Sequence, residues 1–240
     1  GSSAIILATG LIKAGMADVV MIIGGEKLYV PQKWEVFYSE LASVDHDWDG
    51  AQGLGLPPPA FAMVAQQHMK KYGTRKEQLA LVSIKNRRNG AQNPKAQFQQ
   101  EIDMDIAMNA KNIVPPLTLF DCCPITDGAA AVILASEERA RDLTDKPLVY
   151  VLGTGQATLN NMSANMPSWT TWEALKIAGQ QAYKAAGVGP DDIDVAQTHD
   201  CFTISEIIEY EDLGFCKKGE GGAFIEAGES DFGGKIPINT

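Results

Sequence analysis

His199 is the residue whose type and position best suit chemistry. It opens the run His199-Asp200-Cys201-Phe202, which lies between a predicted strand at residues 193–198 and a predicted helix. In open α/β sheets, ligands bind beyond the carboxyl ends of the strands. An imidazole in that place can donate a hydrogen bond to a developing oxyanion or act as an acid or base. The alternative is a structural histidine that packs at the strand end, and the position alone leaves both interpretations open.

The four cysteines are the candidate nucleophiles, and they are Cys122, Cys123, Cys201 and Cys216. Cys201 precedes a predicted helix, and a helix amino terminus favours a thiolate. For all four, however, the interpretation we favour is a small buried hydrophobic residue. Adjacent Cys122 and Cys123 are poor disulfide partners and there is no CxxC pair, so we predict reduced thiols in a cytosolic compartment.

A second group of residues could bind phosphate. Lys85, Arg87 and Arg88 lie close together and could form a basic patch, although a solvated helix face accounts for the same spacing. The glycine-rich stretches lack GxGxxG or Walker spacing and are predicted to be turns. They lie at residues 24–25, 53–55 and 219–222.

Composition restricts the class of protein. The chain has 240 residues, of which 45% are hydrophobic and 21% charged, which is typical of a globular protein that can bury a core. Twenty basic against thirty acidic residues give a net charge of −10, which argues against a nucleic-acid or anionic-membrane binder. No apolar run approaches the ~20 residues of a membrane span. The three histidines are scattered, so no metal site is predicted.

Apolar spacing predicts alternating helices and strands. Helices are expected at residues 4–12, 61–72, 175–186 and 203–213, and strands at 19–23, 117–120, 132–134, 147–151 and 193–198. Capping boxes are predicted at 74–77 and 170–173, and residues 214–234 are predicted to form a loop. The continuous apolar strand at 19–23 is of the kind that is buried on both faces of a sheet. The pattern predicts an α/β fold, interrupted by a helical insertion at about 27–115, with a domain boundary near residue 145.

Several segments, taken in order, carry a family resemblance. They are residues 1–26, residues 72–98, Cys-Pro-Ile-Thr-Asp-Gly-Ala-Ala-Ala at 123–131, His-Asp-Cys-Phe at 199–202, and Gly-Gly-Lys-Ile-Pro-Ile-Asn-Thr at 233–240. Together they resemble the thiolase superfamily over essentially the whole chain. The HDCF box is similar to that of the sterol-carrier-protein-type and archaeal-type thiolases, where most other thiolases have NEAF. The last segment resembles the lead-in to the family's GHP histidine box.

The resemblance implies a thiolase-like five-layer αβαβα core with an inserted helical loop domain. Residues 1–26 and 116–145 would belong to the N-terminal core domain, 27–115 to the loop domain, and 146–240 to the C-terminal core domain. The nucleophilic cysteine of the family would lie upstream of Gly1, and the GHP histidine and the acid/base cysteine would follow Thr240. We therefore expect the chain to be the central part of a longer enzyme, and the 240 residues alone to be inactive.

The resemblance also implies an activity and roles for three residues. Family members join two acetyl-CoA molecules into acetoacetyl-CoA and CoA, or cleave a 3-ketoacyl-CoA with CoA. By resemblance His199 would be catalytic, donating a hydrogen bond to the thioester oxygen of the enolate in an oxyanion hole. Cys201 would shape the acyl pocket and Phe202 would line the pantetheine channel, both in substrate binding. No cofactor is expected, because coenzyme A is a substrate.

Partners and location are likewise implied by the resemblance. Acyl-CoA and CoA are the expected ligands, a homodimer or homotetramer the expected assembly, and the cytoplasm the expected location. Archaeal relatives associate with hydroxymethylglutaryl-CoA synthase through a small zinc-ribbon protein, which suggests the mevalonate pathway. Neither nucleic acid nor a membrane is an expected partner. Two alternatives stay open: a thiolase-like retro-aldolase (a lyase), and a non-catalytic scaffold subunit that binds CoA.

Overall fold

A computed structural model describes residues 1–30, 46–159 and 166–240. The helices are α1 (Ser2–Lys13), α2 (Pro57–Tyr72), α3 (Lys76–Gln92), α4 (Met104–Met108), α5 (Glu137–Leu143), α6 (Glu173–Ala186), α7 (Thr203–Asp212) and α8 (Gly221–Glu226). The strands are β1 (Val19–Lys27), β2 (Asn112–Val114), β3 (Leu117–Thr118) and β4 (Asp127–Ala135). Within the described ranges, no helix is both long enough and apolar enough to cross a membrane.

Strands β1 and β4 form a two-stranded antiparallel sheet, with α1 packed against it. The helix prediction at 4–12 is confirmed, but the prediction that the strand at 19–23 is buried on both faces is wrong. Met21 and Ile23 are 58% and 71% exposed. Two strands cannot cover both of their own faces, so the apolar side chains stay open to solvent. The glycines at 24–25 lie inside β1 and not in a turn.

The core is built mainly from helices α2, α3, α7 and α8. Its fully buried apolar side chains include Leu79 on α3 and Ile204, Ile207 and Ile208 on α7. Helix α7 is buried along nearly its whole length, because α2, α3, α6 and α8 all contact it. The element that directly follows the HDCF box is therefore a helix with described neighbours on several sides.

Turn and cap residues set the ends of α2 and α3. The prolines open α2, where a missing backbone N–H costs nothing, and Gly73 closes it with a φ of 76°. The predicted capping box at 74–77 is displaced by one residue, because Gln78 Oε1 accepts the backbone N–H of Arg75 at 2.9 Å. Thr74 instead contacts His68, with 2.7 Å between Oγ1 and Nδ1.

Helix α6 is confirmed, and Gly187 ends it with a φ of 72°. The capping box predicted at 170–173 is wrong, since the first turn is capped from another helix: Trp172 N donates to Asp212 Oδ2 at 2.6 Å. The strand predicted at 147–151 is also wrong; this segment pairs with no described strand, and Val149 is 97% exposed.

Three further predictions need correction near the site. The strand predicted at 193–198 reduces to one parallel bridge between Ala196 and Ile238. Of the strand predicted at 117–120, only Leu117–Thr118 (β3) is a strand, and the chain continues as a 3-10 helix at Leu119–Asp121. The loop predicted at 214–234 contains the short helix α8, whose glycines pack closely on neighbours: a Cβ on Gly221 would lie 2.5 Å from the carbonyl oxygen of Ile207. Helix α8 thus replaces part of the predicted loop because its small residues permit this approach.

Candidate active site

The HDCF box lies beside the chain segment that leads into β4. Cys123 N donates to Cys201 O at 2.9 Å, and Cys122 and Phe202 form an antiparallel bridge. Two segments about 80 residues apart in sequence, both singled out as motifs, are therefore neighbours in space. The backbone at the amino end of α7 is fixed by this pairing.

Asp121 fastens the start of α7 from the same side. Its carboxylate is buried; Oδ1 accepts from Thr203 Oγ1 at 2.8 Å, and Oδ2 accepts from Thr118 N and Oγ1 at 2.7 and 2.9 Å. All these contacts are made by short side chains or backbone, so the geometry is stiff. Asp121 was not predicted from the sequence, where only its place just before Cys122 could have drawn attention to it.

His199 is solvent-exposed just before α7. No hydrogen bond to a described residue occupies its ring nitrogens. The carboxyls of Asp200 and Glu209 are its electrostatic neighbours. An exposed imidazole with carboxyl groups nearby and an unoccupied ring can present an N–H to a ligand.

The two acidic neighbours have raised pKa values. Desolvation, followed by the nearby Glu206 carboxylate, raises the pKa of Asp200, although part of the residue's surface stays accessible. Glu209 is only 7% exposed, and its Oε2 has no hydrogen-bond partner among the described residues. Burial raises the pKa of Glu209 to about 8, although Thr198 and His199 act in the opposite direction. Burial therefore favours the protonated form of the Glu209 carboxyl at neutral pH.

Three of the four cysteines, Cys122, Cys201 and Cys216, are poor nucleophiles where they stand. The prediction that all four are buried is wrong, because these three are half-buried and Cys123 is exposed. Desolvation by burial raises the pKa of Cys201, and it raises the pKa of Cys122 and of Cys216 to about 12. A thiol with a raised pKa is protonated at neutral pH and does not attack a thioester readily. Cys201 is half-buried, and its Sγ lies 3.6 Å from Ser205 Oγ.

Phe202 is buried in an aromatic group. Its ring stacks on Phe61 of α2 at a centroid distance of 4.1 Å and an interplanar angle of 16°, and Phe61 meets the edge of Trp172 at 5.9 Å. The stack anchors the box to α2. The predicted roles of His199, Cys201 and Phe202 remain predictions.

The predicted basic patch does not form. Lys85 is buried and lies 2.5 Å from Glu206 Oε1, and Arg88 is paired with Asp231 at 2.5 Å. Arg87 stacks on the ring of Phe98, 4.1 Å from its centroid. Each cation already has a partner within the protein, so the three do not converge on a phosphate.

Three cavities in the described part of the chain bear on the site. One of about 510 Å³ is bordered by α3, by residues 120–126 and by Asp200, next to the HDCF box. A smaller one of about 250 Å³ also reaches the box, where Thr198, Asp200 and Asn239 line it. The third, of about 550 Å³, lies away from His199 between α1, β4, α5 and residues 146–151. The first two suit the site, because both border the box. No described group of three or more His, Cys, Asp or Glu side chains is arranged to hold a metal ion.

Comparisons with known proteins agree with this geometry. The family profile described as "Thiolase, N-terminal domain" matches residues 1–138, and "Thiolase C-terminal domain-like" matches residues 155–240. The chain belongs to the thiolase family. The resemblance seen in the motifs is thereby confirmed, and so is the thiolase-like α/β fold.

Individual relatives of this thiolase-family chain are of two kinds. An "Acetyl-CoA acetyltransferase" of Methanothermobacter thermautotrophicus is 39% identical and aligns with 99% of this chain and 62% of its own length. "Sterol carrier protein 2" of Oryctolagus cuniculus is 35% identical over 100% of this chain and 46% of its own. The solved "Ltp2-ChsH2(DUF35) aldolase" superposes with a TM-score of 0.85 at 30% identity, over 99% of this chain and 62% of its own. The chain thus spans about half to two thirds of the length of these proteins.

Sequence reasoning missed most of the polar residues around His199. Glu206 and Glu209 lie on a helix whose apolar spacing was recognised, but acidic residues on such a helix normally face solvent. Asn239 was seen only as part of the closing motif. Glu206 pairs with Lys85, and Asn239 accepts a hydrogen bond from Thr198. Glu209 is an electrostatic neighbour of His199. No local sequence pattern reveals these interactions.

Proposed function

We propose that this chain is the central part of an acyl-CoA C-acyltransferase that catalyses a thioester Claisen condensation and its reversal, thiolysis. The observation that carries the proposal is the exposed His199 of the HDCF box, held at the amino end of α7 by paired backbone. The archaeal relative named acetyl-CoA acetyltransferase supports the substrate class, acetyl-CoA and acetoacetyl-CoA.

His199 is the group that stabilises the enolate. Condensation requires removal of a proton from the carbon next to a thioester, which places negative charge on the thioester oxygen. A preorganised N–H aimed at that oxygen lowers the barrier, and removal of one such donor typically costs about 10²–10³ in rate. The unoccupied ring of His199 suits this role, because no described side chain competes for its N–H.

Cys201 and Phe202 serve substrate binding and not bond making. The raised pKa of Cys201 supports this role, since a protonated thiol can line an acyl pocket without reacting. Phe202 gives the pantetheine channel an apolar wall that Phe61 holds in place. The attacking thiolate and the carbon acid/base are supplied by residues outside these 240, and coenzyme A enters as a substrate.

The decisive experiment uses the whole protein. Purified wild-type enzyme should cleave acetoacetyl-CoA with CoA, and His199→Ala should lower kcat by about 10²–10³-fold with intact folding. Gln197→Ala, two residues away and exposed, is the matched control and should keep wild-type kcat. A correctly folded protein that neither forms nor cleaves acetoacetyl-CoA would refute the proposal.

A retro-aldolase is the second candidate, and the 0.85 TM-score to an aldolase of 30% identity favours it. The residues just before Gly1 separate the two: a CxSG motif running into this chain supports the acyltransferase, and its absence supports the lyase. A CoA-binding scaffold is separated from both by calorimetry, since it would bind CoA without turnover.

Assembly and location complete the proposal. We expect a cytoplasmic homodimer or homotetramer. Association with a zinc-ribbon partner and with hydroxymethylglutaryl-CoA synthase is also proposed. The likeness to the solved "Ltp2-ChsH2(DUF35) aldolase" supports a partner-bound state. Size-exclusion chromatography with light scattering measures the oligomeric state, and co-purification tests the association with the partner proteins.

A further inference from the structure

A buried ion pair joins α3 to α7 behind the HDCF box. Lys85 Nζ lies 2.5 Å from Glu206 Oε1, and the two side chains are 1% and 0% exposed. Lys85 also donates to the carbonyl of Ile238 at 2.5 Å, and Tyr210 Oη donates to the same Glu206 oxygen. Burying two charges costs several kcal/mol unless they are fully hydrogen-bonded, and apolar side chains often pack as well. Helix packing alone therefore gives no reason for this pair.

The second oxygen of Glu206 suggests the reason. Oε2 accepts from Asn86 Nδ2 at 2.7 Å and from Asn239 Nδ2 at 3.0 Å. Each of these two side-chain amides makes a further hydrogen bond to a residue next to His199. Asn86 Nδ2 also donates to Asp200 Oδ2 at 2.8 Å, and Asn239 Oδ1 accepts the backbone N–H of Thr198 at 2.8 Å. The residue before His199 and the residue after it are thus both tied to one carboxylate oxygen.

The backbone around Asn239 is shaped for this contact. Asn239 has a φ of 54°, a left-handed conformation that asparagine tolerates better than most residues. Its N–H donates to Ala196 O at 3.0 Å, and its carbonyl accepts from Asn89 Nδ2 at 3.0 Å. With backbone on both sides fixed, the Asn239 amide has little freedom except to bridge Glu206 and Thr198.

We propose that Glu206 is the positioning residue for His199, with Asn86 and Asn239 as its two arms and Lys85 as its counter-charge. This inference rests on the proposed role of His199 in catalysis. Among the described residues, one isolated bridge precedes His199, at Ala196, and one follows it, at Phe202, so regular sheet does not hold His199 itself. An oxyanion donor must be preorganised, and a displacement of about 1 Å can cost about 10²-fold in rate. The network supplies that rigidity from the helical insertion.

The test begins with Glu206→Gln in the whole protein. Lys85 stays charged and attracts the amide oxygen, which turns the amide N–H₂ toward the two asparagine donors and breaks both arms. We expect kcat for acetoacetyl-CoA thiolysis to fall by about 10²-fold while KM changes little. Glu211→Gln is the matched control: it removes another buried carboxylate of α7, one paired with Lys218 and His68, and should keep kcat even if stability falls.

A rescue variant separates positioning from stability. In Lys85→Met/Glu206→Gln the cation is gone, so the glutamine oxygen is free to accept from Asn86 and Asn239 again. We expect kcat to recover at least about tenfold over Glu206→Gln. If Glu206→Gln does not fold, Asn86→Ala cuts only the Asp200 arm, leaves the ion pair intact, and should lower kcat about tenfold.

A readout independent of activity completes the test. Histidine-selective ¹⁵N labelling, with His199 assigned from a His199→Gln variant, should show the imidazole signal shifted or broadened in Glu206→Gln and in Asn86→Ala, but not in Glu211→Gln. Absence of activity in wild-type protein would refute the proposed function and leave this readout valid. An unchanged His199 signal, or a kcat per folded molecule within threefold of wild type in both arm-breaking variants, would overturn the inference.

Discussion

Helix α7 and the β1–β4 sheet reverse what their compositions suggest. Helix α7 carries four acidic residues in ten and is buried along nearly its whole length. The sheet is rich in valine, isoleucine, methionine and alanine, yet most of its residues are exposed. Burial is thus decided by the number of surrounding elements, because α7 has neighbours on several sides while the described sheet has α1 on its surface.

The acidic residues of α7 can be buried because the fold provides partners for most of them. Glu206 faces Lys85, and Glu211 accepts from His68, Lys218 and the backbone of Gly221. Burial opposes ionisation of Glu211, but the His68 and Lys218 contacts outweigh it and lower its pKa. Of these two buried carboxylates, Glu206 is the one connected to the HDCF box, because Asn86 donates both to Glu206 and to Asp200.

The largest expected effect is a core truncation in α7. Ile207 is fully buried among the helices of the core, so Ile207→Ala removes apolar contacts and leaves a cavity. We expect the free energy of unfolding to fall by about 2–5 kcal/mol. Urea titration of the 240-residue chain, followed by circular dichroism, measures it. A loss below about 1 kcal/mol would show that α7 is less tightly packed than its burial indicates.

A second prediction concerns Glu209, whose pKa is raised to about 8 by burial from an ordinary value of 4.5. Between these two pH values the folded chain holds a proton that the unfolded chain releases, so this group lowers stability as pH rises. Glutamine resembles the protonated carboxyl, and Glu209→Gln should flatten that dependence. At pH 8 the variant should be more stable than wild type by an amount on the order of 1–4 kcal/mol.

The comparison is made with urea midpoints at pH 5.5 and pH 8. The exposed Glu138→Gln serves as the control for loss of one negative charge. At pH 5.5 wild type and Glu209→Gln should differ by only about 1 kcal/mol, less than at pH 8. A Glu209→Gln variant that is equally destabilised at both pH values would mean that the folded chain does not retain the Glu209 proton.

Local patterns predicted elements well where a stop signal and an apolar face coincided. Helices α1, α6 and α7 were predicted because Gly15, Gly187 and Gly214 follow their apolar runs and adopt positive φ in the structure. The HDCF box was found from its motif. The strands predicted at 19–23 and 132–134 lie within β1 and β4, but those predicted at 147–151 and 193–198 do not form, and the polar networks were missed. Strands and networks both need partners that can lie far away in the sequence. The pairing of Lys85 with Glu206 spans more than a hundred residues and leaves no local trace.

The smallest expected effect is that of an isoleucine-to-alanine substitution on the β1–β4 sheet. Ile133 on β4 is 61% exposed, so Ile133→Ala leaves no cavity and should change the free energy of unfolding by less than about 0.5 kcal/mol. The measurement is the urea titration used for Ile207→Ala, with the 240-residue chain in both cases. A loss that approaches the Ile207 value would show that another surface covers this sheet in solution. Dependence of the loss on protein concentration would then identify the covering surface as a second copy of the chain, because only association between molecules responds to dilution.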